Sequence, residues 1–158
     1  MRIIAIDPGY DRLGIAIVDK EKGGKEILIY SDCLITNKKE SLSARIHSVG
    51  LGVRSIIKEY SPDGMAIEKL YFSKNQKTAL SVAEARGVIM YEASLADIPI
   101  HEFTPAEIKI AVTGQGNSDK TAIIKMVPKL IPFTKEKYFD DELDAIALGI
   151  TALAHLKQ

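Results

Sequence analysis

Ile3-Ile4-Ala5-Ile6-Asp7-Pro8-Gly9 decides how the rest of the chain is read. The apolar run is rich in β-branched residues and too short for a helix, so it reads as a buried strand. Asp7-Pro8-Gly9 ends it with turn chemistry. An acid thus stands where a core strand stops, and a carboxylate there is costly unless it is paired or bound to a cation. Taken alone, the motif is a plain turn, and what lies beyond it gives it weight.

Leu13 to Val18 is a second apolar strand, Glu21 to Gly24 a turn, and Glu26 to Cys33 a third strand, which together suggest an antiparallel meander. Ser41 is placed to cap a helix whose apolar residues Leu42, Ile46, Val49, Val53, Ile56 and Ile57 recur at helical spacing up to Tyr60. After the breaker Ser61-Pro62-Asp63-Gly64, Met65-Ala66-Ile67 is a short buried strand that ends on Glu68. A long helix is expected over Asn75 to Ala96, a last strand over Ile98 to Phe103, and a short helix after Thr104-Pro105. Gly114 to Asn117 reads as a flexible loop, with two more helices over Asp119 to Leu130 and Asp141 to Leu156. No repeat or linker interrupts the 158 residues, which are read as one domain. The order implies an α/β fold: a mixed five-stranded sheet flanked by helices, as in the ribonuclease-H-like fold.

Composition narrows the chemistry. One cysteine, Cys33, excludes an intramolecular disulfide and a cysteine-based zinc site, and the three histidines are far apart. A metal here would be held by oxygen, which favours Mg²⁺ or Mn²⁺. No apolar run is long enough to span a bilayer, and the start lacks a signal-peptide pattern, so no membrane role and a cytoplasmic location are expected. Lys plus Arg number 21 and Asp plus Glu number 21, so any nucleic-acid contact must rest on locally sorted charge. Lys69, Lys74 and Lys77 form one such stretch, which is also what a solvated surface looks like.

Asp7 and Glu68 would lie side by side if their strands are neighbours, repelling each other unless a cation or proton sits between them. Asp141 and Asp144 are three apart at a helix start and share a face, with Ala145, Leu148, Ala152 and Leu156 behind them as an apolar stripe. A first-turn acid also stabilises a helix by itself, which is the simplest account of Asp140 and Glu142. Four such carboxylates in one cleft could hold two hard divalent ions and act on a phosphodiester.

The chain resembles the RuvC family of Holliday junction resolvases. The resemblance rests on Ile3 to Gly9, on Glu68-Lys69-Leu70-Tyr71-Phe72 with Asn75 and Ala83 to Val88, on Phe103-Thr104-Pro105 with Ile108-Lys109 and Thr113 to Lys120, and on Asp141-Glu142-Leu143-Asp144-Ala145-Ile146-Ala147. It implies a ribonuclease-H-like homodimer that cuts a four-way DNA junction and works with a branch-migration complex. By resemblance, Asp7, Glu68, Asp141 and Asp144 are the catalytic, metal-holding acids, serving two Mg²⁺ ions for which Mn²⁺ can substitute. Lys109 and Lys120 correspond to basic residues near the cut strand, and Tyr71, beside Phe72, to an aromatic at the opened junction centre. Lys74, Lys77 and Arg86 are further candidates for DNA contact, Arg86 being equally suited to a helix-packing ion pair. The family usually has two small residues where this chain has Glu142 and Leu143. A RuvC-related RNA-processing nuclease and a non-catalytic junction binder are the alternative readings. A sugar-kinase or actin-like ATPase would need a second domain to clasp its nucleotide.

Overall fold

The structure is a computed structural model and describes every residue except 22, 71–75, 133, 134, 136, 157 and 158, and it leaves the side chains of 76 and 77 undescribed. The expected strands and helices form β1 (Arg2–Asp7), β2 (Arg12–Lys20), β3 (Glu26–Ile35), α1 (Leu42–Tyr60), β4 (Gly64–Glu68), α2 (Gln76–Leu95), β5 (Ile100–Phe103), α3 (Pro105–Thr113), α4 (Lys120–Leu130) and α5 (Asp140–His155). Local chemistry sets the ends. Ser41 accepts from the Ala44 N–H to start α1, and Ser61 ends it in the left-handed region. Thr104 and Glu107 close a reciprocal capping box at the start of α3, and Asp119 caps α4 through the Ala122 N–H.

The sheet order is β3-β2-β1-β4-β5. β1 runs antiparallel to β2 and parallel to β4, and β4 runs parallel to β5. The expected meander is therefore β1-β2-β3. A bulge between Ile17 and Val18 in the β2–β3 pairing shifts the register, and β3 runs on to Ile35.

Period-two alternation splits the core. Ile4, Ile6, Ile15, Ile17, Met65 and Ile67 face α1 and α2, with Val49, Val53, Ile89 and Ala93. Ile3, Ala5, Ala16, Val18 and Ala66 face α3, α4 and α5. The second face carries mostly small residues along the sheet centre, so α5 lies close to it. Side chains grafted at two glycines would collide there. A Cβ on Gly14 would run into the backbone carbonyl of Asp141, and one on Gly149 would come within 2.8 Å of Val18. Among the described residues no helix is long and apolar enough to cross a membrane.

Candidate active site

Asp7 continues the face of Ile3 and Ala5, and Glu68 continues the face of Ala66. Ile6 pairs with Ile67 across the parallel β1–β4 ladder, so the next residues, Asp7 and Glu68, emerge side by side toward α5. Asp144 faces them from the first turns of α5, in line with Ala147 and Leu148. These three acids, with Lys109 and Lys120, line a cavity of about 230 Å³ whose remaining wall is Pro105, Ile108, Ile123, Ala147 and Leu148. Three elements set the cavity's outer edge: the capped start of α3, the capped start of α4 and the N-terminus of α5.

The electrostatics are those of a site short of positive charge. Burial, then repulsion by Glu68, Asp144 and Asp141, pushes Asp7 well above the usual carboxylate range, with Lys120 pulling the other way. Burial and Asp144 raise Glu68. Burial raises Asp144 although Lys120 opposes it. The Lys120 ammonium donates to Asp144 Oδ2 at 2.9 Å and stands 3.8 Å from Asp140. Burial works against its charge, but Asp144, Asp140 and Asp7 together hold its pKa above the ordinary lysine value. Among the described residues only Lys120 pairs with the three clustered acids, which leaves the set fitted to further cations with oxygen preference. Among the described residues no three His, Cys, Asp or Glu side chains already close around a single ion position.

Asp141 is close to this group but turned aside. Its Oδ2 lies 3.2 Å from Arg12 Nε, and the Arg12 guanidinium stacks 5.0 Å from the centre of the Phe139 ring. The four-acid cleft expected from sequence is thus three acids on the cavity wall and a fourth tethered at its edge. Glu142 does not add charge to the cavity. It is 2% exposed, accepts from Ser31 Oγ at 2.6 Å and from Lys135 Nζ at 2.7 Å, and takes the Phe139 N–H at the helix start. Leu143 is buried in the core between α5 and its neighbours.

The basic candidates separate. Lys109 and Lys120 reach the cavity. Arg86 is engaged within the protein: Nη2 pairs with Glu102 and Nε donates to the Glu68 carbonyl at 3.2 Å, tying α2 to the end of β4. Tyr71, Phe72 and Lys74 lie outside the described residues, as does the side chain of Lys77. The loop after α3 is tied rather than open, because Thr113 Oγ1 and Ser118 Oγ meet at 2.6 Å and Gly114 forms the left-handed cap of α3.

Sequence reasoning placed neither Gly14 nor Arg12 at the site. Gly14 pairs with Asp7 across β1–β2 and is the seat of the first turn of α5. Its only signal was a glycine inside a strand, which marks a close backbone approach. A second group behind the site was also missed. Buried Arg45 of α1 donates to Thr36 Oγ1 at 2.9 Å, pairs with Asp11 and stacks 4.8 Å from the Tyr10 ring. It thereby fixes the loop that leaves Asp7.

Comparison with known proteins supports the fold. A family model described as crossover junction endodeoxyribonuclease RuvC matches residues 3–152. The crossover junction endodeoxyribonuclease RuvC of Thermosipho melanesiensis is 44% identical over 149 residues, covering 94% of this chain and 94% of that protein. The RuvC of Petrotoga mobilis is 42% identical over 155 residues, covering 98% and 93%. Thermus thermophilus RuvC in complex with Holliday junction substrate superposes with a TM-score of 0.89 at 24% identity, over 97% of this chain and 93% of that one. At that identity the superposition speaks for the fold.

Proposed function

The chain belongs to the RuvC family of crossover junction endodeoxyribonucleases, and we propose on that premise that it resolves four-way DNA junctions by metal-dependent, paired symmetric nicks. The observation that supports this most directly is the side-by-side emergence of Asp7 and Glu68 from parallel strands, facing Asp144 across a cavity with two lysines at hand. Such a cluster suits a phosphodiester, whose hydrolysis needs charge compensation more than a protein nucleophile.

Asp7, Glu68, Asp144 and, after release from Arg12, Asp141 would hold two Mg²⁺ ions, with Mn²⁺ able to substitute. Those ions, when bound, supply the positive charge that offsets the reacting phosphate and the leaving 3′ oxygen and activate the attacking water. The protein's own contribution is placement. The strand ends fix Asp7 and Glu68 on rigid backbone, and the short approach of α5 over Gly14 brings Asp144 to them. Lys120 shares its ammonium with Asp144 and can turn to a phosphate oxygen, while Lys109 meets the phosphate backbone from α3. The 158 residues act as one nuclease domain.

A four-way junction has approximate two-fold symmetry, so a C₂ homodimer would present one site to each of two opposed strands. Leu80, Tyr91 and Leu95 form an exposed stripe on α2 that suits this role, together with the apolar groove it shares with Leu42 and Ile46 of α1. A branch-migration complex is the partner that would deliver the junction.

The test is cleavage of a labelled synthetic four-way junction, with linear duplex and single-stranded RNA alongside, with and without Mg²⁺. Symmetric nicks confined to the junction and dependent on the ion are expected. Trimming of the RNA alone would replace this reading with RNA processing, and tight junction binding without nicks would mark a non-catalytic binder.

A further inference from the structure

Asp141 and Asp144, the two site acids on α5, are each held by a basic side chain. Lys120 of α4 takes Asp144, and Arg12 of β2 takes Asp141. In the sheet order β3-β2-β1-β4-β5, Arg12 stands on one side of β1 and β4, whose ends carry Asp7 and Glu68. Lys109 stands on the other side, on the helix that follows β5. A polyanion laid across the acids therefore meets lysine on one flank and Arg12 on the other. Exposure separates Arg12 from the other arginines near the site. Arg45 and Arg86 have 10% and 15% of their side chains exposed and are tied inside the protein, whereas Arg12 has 43%. Its guanidinium lies over the ring of Phe139, itself an exposed residue at the start of α5. The ring steadies the plane of the guanidinium and leaves its rim of N–H donors to whichever anion is nearest. The Asp141 oxygen that meets Arg12 also lies 3.9 Å from Cys33 Sγ, so this carboxylate is turned toward β2 and β3.

We propose that Arg12 is a DNA-phosphate contact that trades its carboxylate for a phosphate when a junction binds, and that this exchange frees Asp141 to hold a cation. The proposal rests on the nuclease reading above and adds a coupling between its two ligands. An ion pair this exposed contributes little, so breaking it costs little. A phosphate offers the guanidinium the same paired acceptor oxygens as a carboxylate. The exchange keeps Arg12 beside an anion throughout and needs only the turn of one side chain at the rim of the site. Its consequence falls on Asp141. In the free protein a cation must compete with Arg12 for that carboxylate, and in the complex it need not. By linkage, whatever factor the junction adds to cation affinity, the cation adds to junction affinity. The fourth acid thus joins the other three where DNA is present, and the free protein is kept from assembling the full set.

The experiment compares the full-length wild type with Arg12→Met, which keeps a flexible stem over Phe139 and removes the charge. Ca²⁺ replaces Mg²⁺ so that the DNA stays intact. Ca²⁺ affinity of the free protein is read from the rise in melting temperature across a Ca²⁺ series. The change on forming the complex is read from how steeply affinity for a synthetic four-way junction, by fluorescence anisotropy, climbs over the same series. The free variant is expected to bind Ca²⁺ about two- to fivefold more tightly than wild type, the scale of one exposed ion pair. The two complexes should bind Ca²⁺ equally, so the junction gains less from Ca²⁺ in the variant, by that same factor. A variant that binds Ca²⁺ more tightly by one factor in both states overturns the proposal, because Arg12 then stays on Asp141 in the complex or acts only through net charge. Equal Ca²⁺ affinity of the two free proteins overturns it as well, since the pair then holds nothing back. Should Arg12→Met fail to fold, the Arg12 Nε–H signal of ¹⁵N-labelled wild type decides: a shift on adding the junction without cation supports the exchange, and an unmoved signal overturns it. Nicking of the junction by wild type in Mg²⁺ is followed alongside. If wild type nicks while these tests fail, only this inference falls; if it neither binds nor nicks, the nuclease reading falls and takes the inference with it.

Discussion

Asp7 carries an unfavourable buried charge, and its cost is measurable. Burial and the neighbouring acids raise its pKa in the folded chain above the unfolded value near 4. Between those two values the folded state binds more protons than the unfolded one, so stability falls as pH rises through the window. The cost is complete above the folded pKa and absent below the unfolded one. Without divalent ions, Asp7→Asn should therefore melt higher than wild type, by a margin that opens from about pH 4 upward. Added Mg²⁺ should raise the melting temperature of wild type and do so less for the variant. The same change should reduce junction nicking to background while leaving junction binding intact. A margin independent of pH would show that Asp7 carries no such strain. Glu142 poses the opposite case, a buried acid with partners on every side. Lys135→Met leaves that carboxylate without its cation and should cost about 1–3 kcal/mol in a denaturant melt, the cost of a buried group left unsatisfied. Adding Glu142→Gln to that variant should recover part of the loss, because the charge disappears with its partner.

Among the elements, α5 governs the site, and its height above the sheet is set by Gly14. Any side chain at that position would meet the Asp141 carbonyl, so Gly14→Ala must lift the first turn of α5 or bend β2. Overpacking of this kind costs about 1–3 kcal/mol. Since Asp141 and Asp144 ride on the displaced turn, activity should fall much further than stability, which parallel melts and nicking rates would separate. Wild-type nicking by Gly14→Ala would show that the helix seat has room to spare. This element also shows what can be read from sequence. The strand ends at Asp7 and Glu68, the caps at Ser41 and Thr104 and the acid pair on α5 depend on neighbours within a few residues, and those relations are written in local pattern. Gly14 against Asp141, Glu142 against Ser31 and Arg45 against Tyr10 join residues distant along the chain, and period and propensity carry no trace of them. Glu142 is the clearest example. Its position favours a helix-dipole reading, yet it is buried because β3, reset by its bulge, places Ser31 opposite.

For the whole molecule, the proposed two-fold pairing of sites needs a surface through which two copies could meet. α2 buries Ala85, Ile89 and Ala93 on one side and leaves Leu80, Tyr91 and Leu95 exposed by 71%, 59% and 57% on the other. Spacings of three and four place Glu84 and Gly87 on the same exposed stripe. Gly87 is informative because a Cβ there would meet nothing within 4 Å. A helix-interior glycine costs about 0.5–1 kcal/mol relative to alanine, and the packing described within this chain does not require it. A second copy laid against the stripe would, because a glycine lets two helices approach closely. Gly87→Leu should accordingly raise the stability of the single chain while weakening self-association, read by melting and by sedimentation across a concentration series. On a junction, the two nicks that the proposed dimer would make together should become separate events, so singly nicked intermediate accumulates. If Gly87→Leu remains dimeric and its nicks stay paired, the two-fold contact lies on another face, and the apolar stripe of α2 must have a different occupant.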